Sequence, residues 1–273
     1  MSFDDLESRG LVLLGCGKMG SAMLSGWLDS GLRPEAVWIV DPHPSEWLTG
    51  LASDGLHLND PLPDNPAIVL VAVKPQMMAD ALPSLKKLGN GDTVFLSVAA
   101  GTTIKYYEDT LGAQTPVIRS IPNTPAAIGR GITAIIGNDH ITEESLQLAE
   151  ALLSAIGQTV RLETEDQMDA VTAVSGSGPA YVFHLIETLA AAGEAQGLPA
   201  DLAMTLAKAT VSGAGQLAED SDEDPAQLRV NVTSPAGTTA AALEVLMNAD
   251  TGFPALLNKA VKAATDRSKE LGA

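Results

Sequence analysis

Apolar and polar positions along the chain fall into two regimes. From Leu11 to about Leu162, short apolar runs alternate with segments of helical spacing. The runs are Leu11–Leu14, Ala36–Val40, Ala67–Val73, Thr93–Val98, Pro116–Ser120, Thr133–Gly137 and Thr159–Arg161, all of strand length. Helix-like stretches such as Gln76–Leu88 and Thr142–Ile156 lie between several of them. Such alternation predicts a mostly parallel sheet covered on both faces. Past Glu163 the strand pattern stops. Glu165–Gln196, Pro199–Ala218, Pro225–Arg229, Thr238–Met247 and Pro254–Leu271 all have helical spacing, interrupted by acidic, turn-rich Glu219–Pro225. The expected division is an α/β domain over residues 1–162 and an all-helical domain over 163–273. The helical half is rich in Ala, Gly and Ser and has few large side chains for a core of its own. That pattern suggests helices that bury a face against another subunit.

The first apolar run leads directly into Gly15-Cys-Gly-Lys-Met-Gly20. Met23, Leu24, Trp27 and Leu28 then mark a helix ended by Gly31, and the second run stops at Asp41. In this G-x-G-x-x-G pattern Gly15 permits a tight turn off the strand, and Gly17 lets the backbone approach a pyrophosphate. Gly20 lets the helix pack on the strand. The helix N-terminus would face the phosphates. Asp41 lies 21 residues past Gly20, the distance expected for a carboxylate on the adenosine ribose. Strand, loop, helix, strand and acid in this order predict dinucleotide binding by a Rossmann-type domain.

The run Asp169-Ala-Val-Thr-Ala-Val-Ser-Gly-Ser-Gly-Pro-Ala-Tyr181 reads as helix yet gathers Ser175, Gly176, Ser177, Gly178 and Pro179 in its middle. Gly costs a helix about 1 kcal/mol relative to Ala, and Pro about 3 kcal/mol. Such a cluster fits a kink, a close approach to a ligand, or a tight helix crossing.

Composition narrows the partners. The 273 residues carry 34 acidic and 16 basic side chains, a net charge of −18, which argues against nucleic acid. A dinucleotide is also an anion, so its binding groups must be local: backbone amides, helix ends and a few placed cations. The beginning of the chain, MSFDDLESRG, is acidic, and no apolar stretch reaches membrane-spanning length. A cytoplasmic enzyme is expected. Cys16 stands alone inside the glycine loop and reads as a space-filling residue. His43, His57, His140 and His184 are scattered without ligand spacing, so no metal site is expected.

Three further segments carry candidate chemistry. Val71-Ala-Val-Lys-Pro75 ends an apolar run, which places Lys74 at the carboxyl edge of a parallel sheet, where ligands bind. Arg119-Ser-Ile-Pro-Asn-Thr-Pro125 offers Asn123 and Thr124 on a segment stiffened by two prolines. Val232-Thr-Ser-Pro-Ala-Gly-Thr-Thr239 precedes a helical run, where its small polar residues serve either as caps or as a carboxylate site.

Together these residues resemble the pyrroline-5-carboxylate reductase family over nearly the whole chain. The resemblance rests on GCGKMG, AVKP at Ala72–Pro75, SVAAG at Ser97–Gly101, RSIPNTPA at Arg119–Ala126, DAVTAVSGSGPAY, and SPAGTT at Ser234–Thr239. The order and spacing of the last three are specific to that family. It implies an N-terminal Rossmann-type domain, a helical domain that interlocks with a second copy, and assembly of dimers into a larger oligomer. It also implies reduction of the cyclic imine 1-pyrroline-5-carboxylate to L-proline with NADH or NADPH.

Carried over to this chain, the resemblance gives Gly15, Gly17, Lys18, Met19, Gly20, Asp41, Ala72, Val73, Lys74, Pro75, Ala99, Asn123 and Pro125 as cofactor-binding positions. Ser234, Gly237, Thr238 and Thr239 would hold the substrate carboxylate, and Thr172 would lie near the ring nitrogen as the catalytic residue. Asp222 or Glu223 could touch the site from the acidic loop, though a solvated loop is the better reading. Two departures stand out. Ala236 occupies a position where the family more often has glycine, which is tolerable if φ there is negative. Asp41 stands where many members have a small polar or basic residue, which predicts NADH preference or dual use, because an acid repels a 2′-phosphate. The alternative is that Asp41 turns away and His43 with Ser45 accepts that phosphate.

Other readings remain open at this level. They are reduction of another cyclic imine or short keto acid, a non-catalytic cofactor-sensing protein, and a β-hydroxyacid dehydrogenase. The last needs a catalytic lysine, for which Lys208 is the nearest candidate and lacks supporting neighbours.

Overall fold

The computed structural model describes residues 4–272. Eight strands form one sheet: β1 (Leu11–Leu14), β2 (Val37–Val40), β3 (His57–Leu58), β4 (Ile68–Val71), β5 (Val94–Ser97), β6 (Val117–Ile121), β7 (Gly131–Gly137) and β8 (Gly157–Arg161). Their spatial order is β3-β2-β1-β4-β5-β6-β7-β8, and every neighbouring pair is parallel except β6 with β7. The helices are α1 (Asp4–Arg9), α2 (Lys18–Asp29), α3 (Glu46–Ala52), α4 (Met78–Ala81), α5 (Ile104–Leu111), α6 (Glu143–Leu153), α7 (Gln167–Val171), α8 (Gly178–Ala195), α9 (Ala200–Asp220), α10 (Pro225–Asn231), α11 (Thr238–Leu246) and α12 (Phe253–Gly272).

Strand alternation divides the core into two layers. Leu11 and Leu13 of β1, with Ile68 and Leu70 of β4, join Met23, Leu24, Trp27, Leu152 and Leu153 on one face. Val12 and Leu14, with Val69 and Val71, join Met78, Leu82, Phe95 and Tyr107 on the other. Both faces are covered, which is why these strands read as unbroken apolar runs. Trp27 adds a buried polar tie, its indole N–H donating to the Leu152 carbonyl at 2.8 Å.

Two segments depart from the sequence expectation. The stretch expected as one helix over Gln76–Leu88 is a 3₁₀ turn at Pro75–Met77, the single α turn of α4, and a 3₁₀ run over Leu82–Leu88. Pro83 lacks an N–H and its ring crowds the preceding turn. Leu82, Leu85 and Leu88 are buried at a three-residue spacing that suits the tighter helix. The acidic start of the chain, to which the apolar pattern assigned no element, forms α1 and buries Leu6.

The chain divides into two compact units: residues 4–176 with 266–272, and residues 177–265. The first contains the sheet. It also contains α7 and a π-helical turn at Thr172–Gly176, where the Gly/Ser cluster interrupts regular α geometry. The second unit is helical. Its buried centre is small, formed by Ala190, Ala203 and Ala207 with Ile186 and Met204. Phe183, Leu189, Leu202, Leu206, Leu217 and Val245 are exposed in the single chain.

Candidate active site

Five segments leave the carboxyl edge of the sheet on adjacent strands. In sheet order they are Asp41 after β2, the glycine loop after β1, Ala72–Pro75 after β4, Val98–Gly101 after β5 and Pro122–Pro125 after β6. The order reverses direction between β1 and β4, the position where open α/β sheets bind ligands. Backbone bonds lock the edge together: Gly15 N–H donates to Val40, Ala72 N–H to Leu14 and Val98 N–H to Val71.

The glycine loop has a residue-by-residue logic. Gly15 has φ +87°, and a Cβ there would lie 2.8 Å from Val73 Cγ1, so neither conformation nor space admits a side chain. At Gly20 a Cβ would lie 2.6 Å from the Gly15 carbonyl oxygen. At Gly17 a Cβ would meet nothing within 4 Å. Gly17 is also the N-cap of the twelve-residue α2, with no side chain capping it. Open space in front of an uncapped helix N-terminus is what a pyrophosphate requires, and the residues present fit that group. Lys18 is exposed at the first position of α2, with Met19 half-buried behind it.

Asp41 is held from both sides. Its Oδ2 accepts from Cys16 N–H and its Oδ1 from His43 N–H, both at 2.8 Å. Its main chain pairs with the Asn59 side-chain amide, at 3.0 Å from Asp41 N–H and 2.9 Å to Asp41 O. Ser45, the residue weighed as a phosphate acceptor, accepts from Leu48 N–H as the N-cap of α3. Cys16 is pushed up to about 12 by burial and then by the Asp41 charge, so its thiol stays protonated at neutral pH.

Ala72 and Val73 are half-buried, while Lys74 and Pro75 are exposed. Ala99 is buried, its N–H donating to Ser97 Oγ at 3.2 Å. Asn123 Oδ1 accepts from Ile132 N–H at 3.0 Å, and Pro125 is the second residue of the 3₁₀ turn Thr124–Ile128. Thr172 begins the π turn, and its Oγ1 donates to the Met168 carbonyl at 2.8 Å. Asn123 and Thr172 belong to the first unit together with the glycine loop, whereas Ser234, Gly237, Thr238 and Thr239 belong to the second.

In the second unit Gly237 is the N-cap of α11, again with no side-chain cap, and its N–H closes a turn onto the Ser234 carbonyl at 3.1 Å. A Cβ at Gly237 would collide with Ser234 Oγ, so this glycine admits the serine hydroxyl to the helix start. Ala236 has φ +56°. The sequence reading made its tolerance conditional on negative φ, and that condition is not met: an L-residue sits here in the left-handed region, at a cost of about 1–2 kcal/mol.

The sequence reading missed a buried polar set beneath the β5 and β6 ends. Arg119 is 6% exposed, with Nη1 2.6 Å from Glu165 Oε1, and that same oxygen accepts Ile104 N–H at 2.9 Å. Ser97 Oγ and Tyr107 OH share a hydrogen bond at 2.5 Å, and Ser120 Oγ donates to the Ser97 carbonyl at 2.6 Å. Burial raises Tyr107 to about 12, against opposing effects from Ser97 and Arg119. One signal was available: an arginine inside an otherwise apolar and small-residue strand, Val117-Ile-Arg-Ser-Ile121.

A glycine loop at the switch point of a parallel sheet, opening a helix toward free space, defines the nucleotide half of a nicotinamide-dependent oxidoreductase. Residues 11–101 match a family model described as NADP oxidoreductase, coenzyme F420-dependent, and residues 165–271 match one described as pyrroline-5-carboxylate reductase dimerisation. The chain is 36% identical over 264 residues to the pyrroline-5-carboxylate reductase of Pseudomonas aeruginosa, covering 96% of each. The solved structure of a pyrroline-5-carboxylate reductase from Coxiella burnetii superposes with a TM-score of 0.90 at 31% identity, covering 97% of this chain and 99% of that one. The Plasmodium falciparum enzyme, solved with NADP bound, superposes with a TM-score of 0.81 at 28% identity over 98% of this chain and 99% of that one. This chain belongs to the pyrroline-5-carboxylate reductase family.

Proposed function

We propose that the chain reduces 1-pyrroline-5-carboxylate to L-proline with a reduced nicotinamide dinucleotide. The observation that carries this is the pairing of an uncapped, open helix start at Gly17 with a second uncapped helix start at Gly237. The first suits the dinucleotide pyrophosphate and the second a small carboxylate, without an arginine at either.

The bound dinucleotide supplies the hydride; the chain supplies position and polarity. Ser234, Gly237, Thr238 and Thr239 hold the substrate carboxylate at the start of α11. Asn123, whose carbonyl oxygen is engaged by Ile132 N–H, offers its amino group to the nicotinamide side, with Pro125 beside it. Thr172 directs its hydroxyl proton at the Met168 carbonyl, which leaves its lone pairs to accept from the ring N–H. A hydroxyl in that role favours the protonated iminium, the better hydride acceptor, over the neutral imine. It is too weak an acid to protonate the nitrogen itself, so water supplies that proton.

The Asp41 carboxylate at the end of β2 supports NADH preference or dual use, because its charge opposes a 2′-phosphate. The exposed apolar side chains of the second unit support a homodimer formed through the helical region, with further assembly of dimers. Among the described residues no helix is long and apolar enough to cross a membrane; a cytoplasmic enzyme remains the proposal.

The test is oxidation of NADH and NADPH, assayed separately with 1-pyrroline-5-carboxylate. Stoichiometric proline formation supports the reading, and absence of turnover with both cofactors rejects it.

A further inference from the structure

Arg119 occupies the middle of β6, opposite Ser97 of β5 and Ile136 of β7. Burying a guanidinium inside a sheet is costly, and here the cost is only partly offset, since Nε has no hydrogen-bond partner among the described residues. What the buried charge does reach is Glu165, at the turn that launches α7. Glu165 joins three segments. One carboxylate oxygen takes both Arg119 Nη1 and the Ile104 N–H at the first turn of α5, and its backbone carbonyl accepts Met168 N–H at 3.0 Å. Met168 is in turn the residue whose carbonyl receives the Thr172 hydroxyl. A short chain of contacts therefore runs from Arg119 through Glu165 and Met168 to Thr172. Four residues past Arg119 the same strand delivers Asn123 to the carboxyl edge.

We propose that Arg119 and Glu165 are positioning residues for the reduction: their ion pair sets the Thr172 hydroxyl against the nicotinamide-side segment that begins at Asn123. The proposal rests on the reading of Thr172 given above. A pair serving stability alone would lower the melting temperature and leave turnover per folded molecule unchanged. A positioning pair lowers kcat through Thr172, because small displacements of a reacting group cost up to about a hundred-fold in rate.

The experiment uses the full-length enzyme and its Glu165→Gln, Arg119→Lys, Thr172→Ala, Glu165→Gln/Thr172→Ala and Arg119→Lys/Thr172→Ala variants. kcat, KM for 1-pyrroline-5-carboxylate, dinucleotide Kd and Tm are measured for each. Glu165→Gln keeps an accepting oxygen for Ile104 and removes the charge. It is expected to lower kcat about ten-fold, with dinucleotide Kd held within about two-fold. In the Thr172→Ala background the same change should cost little more, because the residue it acts through is gone. If Glu165→Gln does not fold, Arg119→Lys, which keeps the charge and loses the fork, is compared with and without Thr172→Ala in the same way. Losses that simply multiply, or an unchanged kcat whether or not Tm falls, overturn the proposal while leaving the proposed function standing. Thr172→Ala with wild-type activity overturns both the proposal and the role of Thr172, and a wild-type chain without turnover removes the proposed function as well.

Discussion

The Cys16 amide donates to Asp41 Oδ2 at 2.8 Å, so the acid that closes β2 also holds the glycine loop that closes β1. On the function proposed above, Asp41 has two separable effects, one on the ribose side through its charge and one on the loop through its hydrogen bond. Asp41→Ser should raise the ratio of kcat/KM with NADPH to that with NADH by about ten-fold, the scale of one removed unit charge near a phosphate. It should also raise KM for both cofactors, because the loop loses an anchor. Steady-state kinetics with each cofactor checks both parts, and an unchanged ratio refutes the charge argument.

Thr172→Ala removes a hydroxyl without disturbing the glycine loop. Turnover is expected to fall by about ten- to a hundred-fold, the scale of one lost hydrogen bond to a charged group, while dinucleotide affinity holds. Thr172→Ser should recover most of the rate. Full activity in the alanine variant would show that the hydroxyl takes no part.

The left-handed Ala236 and its neighbour Gly237 make opposite predictions one residue apart. Ala236→Gly relieves backbone strain of about 1 kcal/mol and should raise Tm slightly without harming KM for the imine. Gly237→Ala drives a methyl into Ser234 Oγ and should raise that KM at least about ten-fold. Thermal melts and imine titrations on the two variants separate these effects.

Burial, and after it the Asp41 charge, push the Cys16 thiol up to about 12 in the folded chain, well above the ordinary thiol range. A raised pKa means the folded state keeps a proton that the unfolded state loses. This contribution to stability is complete below pH 9 and disappears between pH 9 and about 12. Denaturation midpoints across that window should fall less steeply for Cys16→Ser than for the wild type. At pH 8 the folded thiol should resist alkylation and react only after unfolding.

Leu206 lies on α9, 47% exposed, one residue before Ala207 of the small buried centre. Leu206→Glu puts a charge on that apolar face and is expected to shift the protein to smaller species by sedimentation. Dinucleotide binding, a property of the first unit, should persist. An unaltered sedimentation profile would place the subunit contact elsewhere.

Much of this was legible in the sequence because period and punctuation carried it. Seven of the strands follow from short runs of strand length, those of β1, β4, β5 and β6 buried along their whole length between two layers, and the glycine loop follows from steric rules that act on single residues. Ala236 was legible as a departure but not as a strained residue, because φ depends on the turn that Ser234 and Gly237 close together. The two-residue β3 has too few positions to show any alternation. Glu165 was hidden for another reason: its partner Arg119 lies 46 positions away, and a charge pair across that distance leaves no periodic trace. The Leu82–Leu88 segment shows the remaining limit, since apolar spacing suggested a regular helix that Pro83 forbids.

The first unit is discontinuous in sequence, and that has a consequence for how the molecule is made. Residues 4–176 emerge from the ribosome well before residues 266–272, which count with the same unit. At roughly 5–20 residues per second, the delay is about 5–18 s. During it Asp169, three positions before Thr172, lacks the hydroxyl of Ser268 that donates to it at 2.6 Å in the finished chain. The nascent reductase half must therefore persist without its last turns, and a nonsense mutation beyond Thr265 would remove part of the nucleotide-binding half while leaving the helical unit's residues intact.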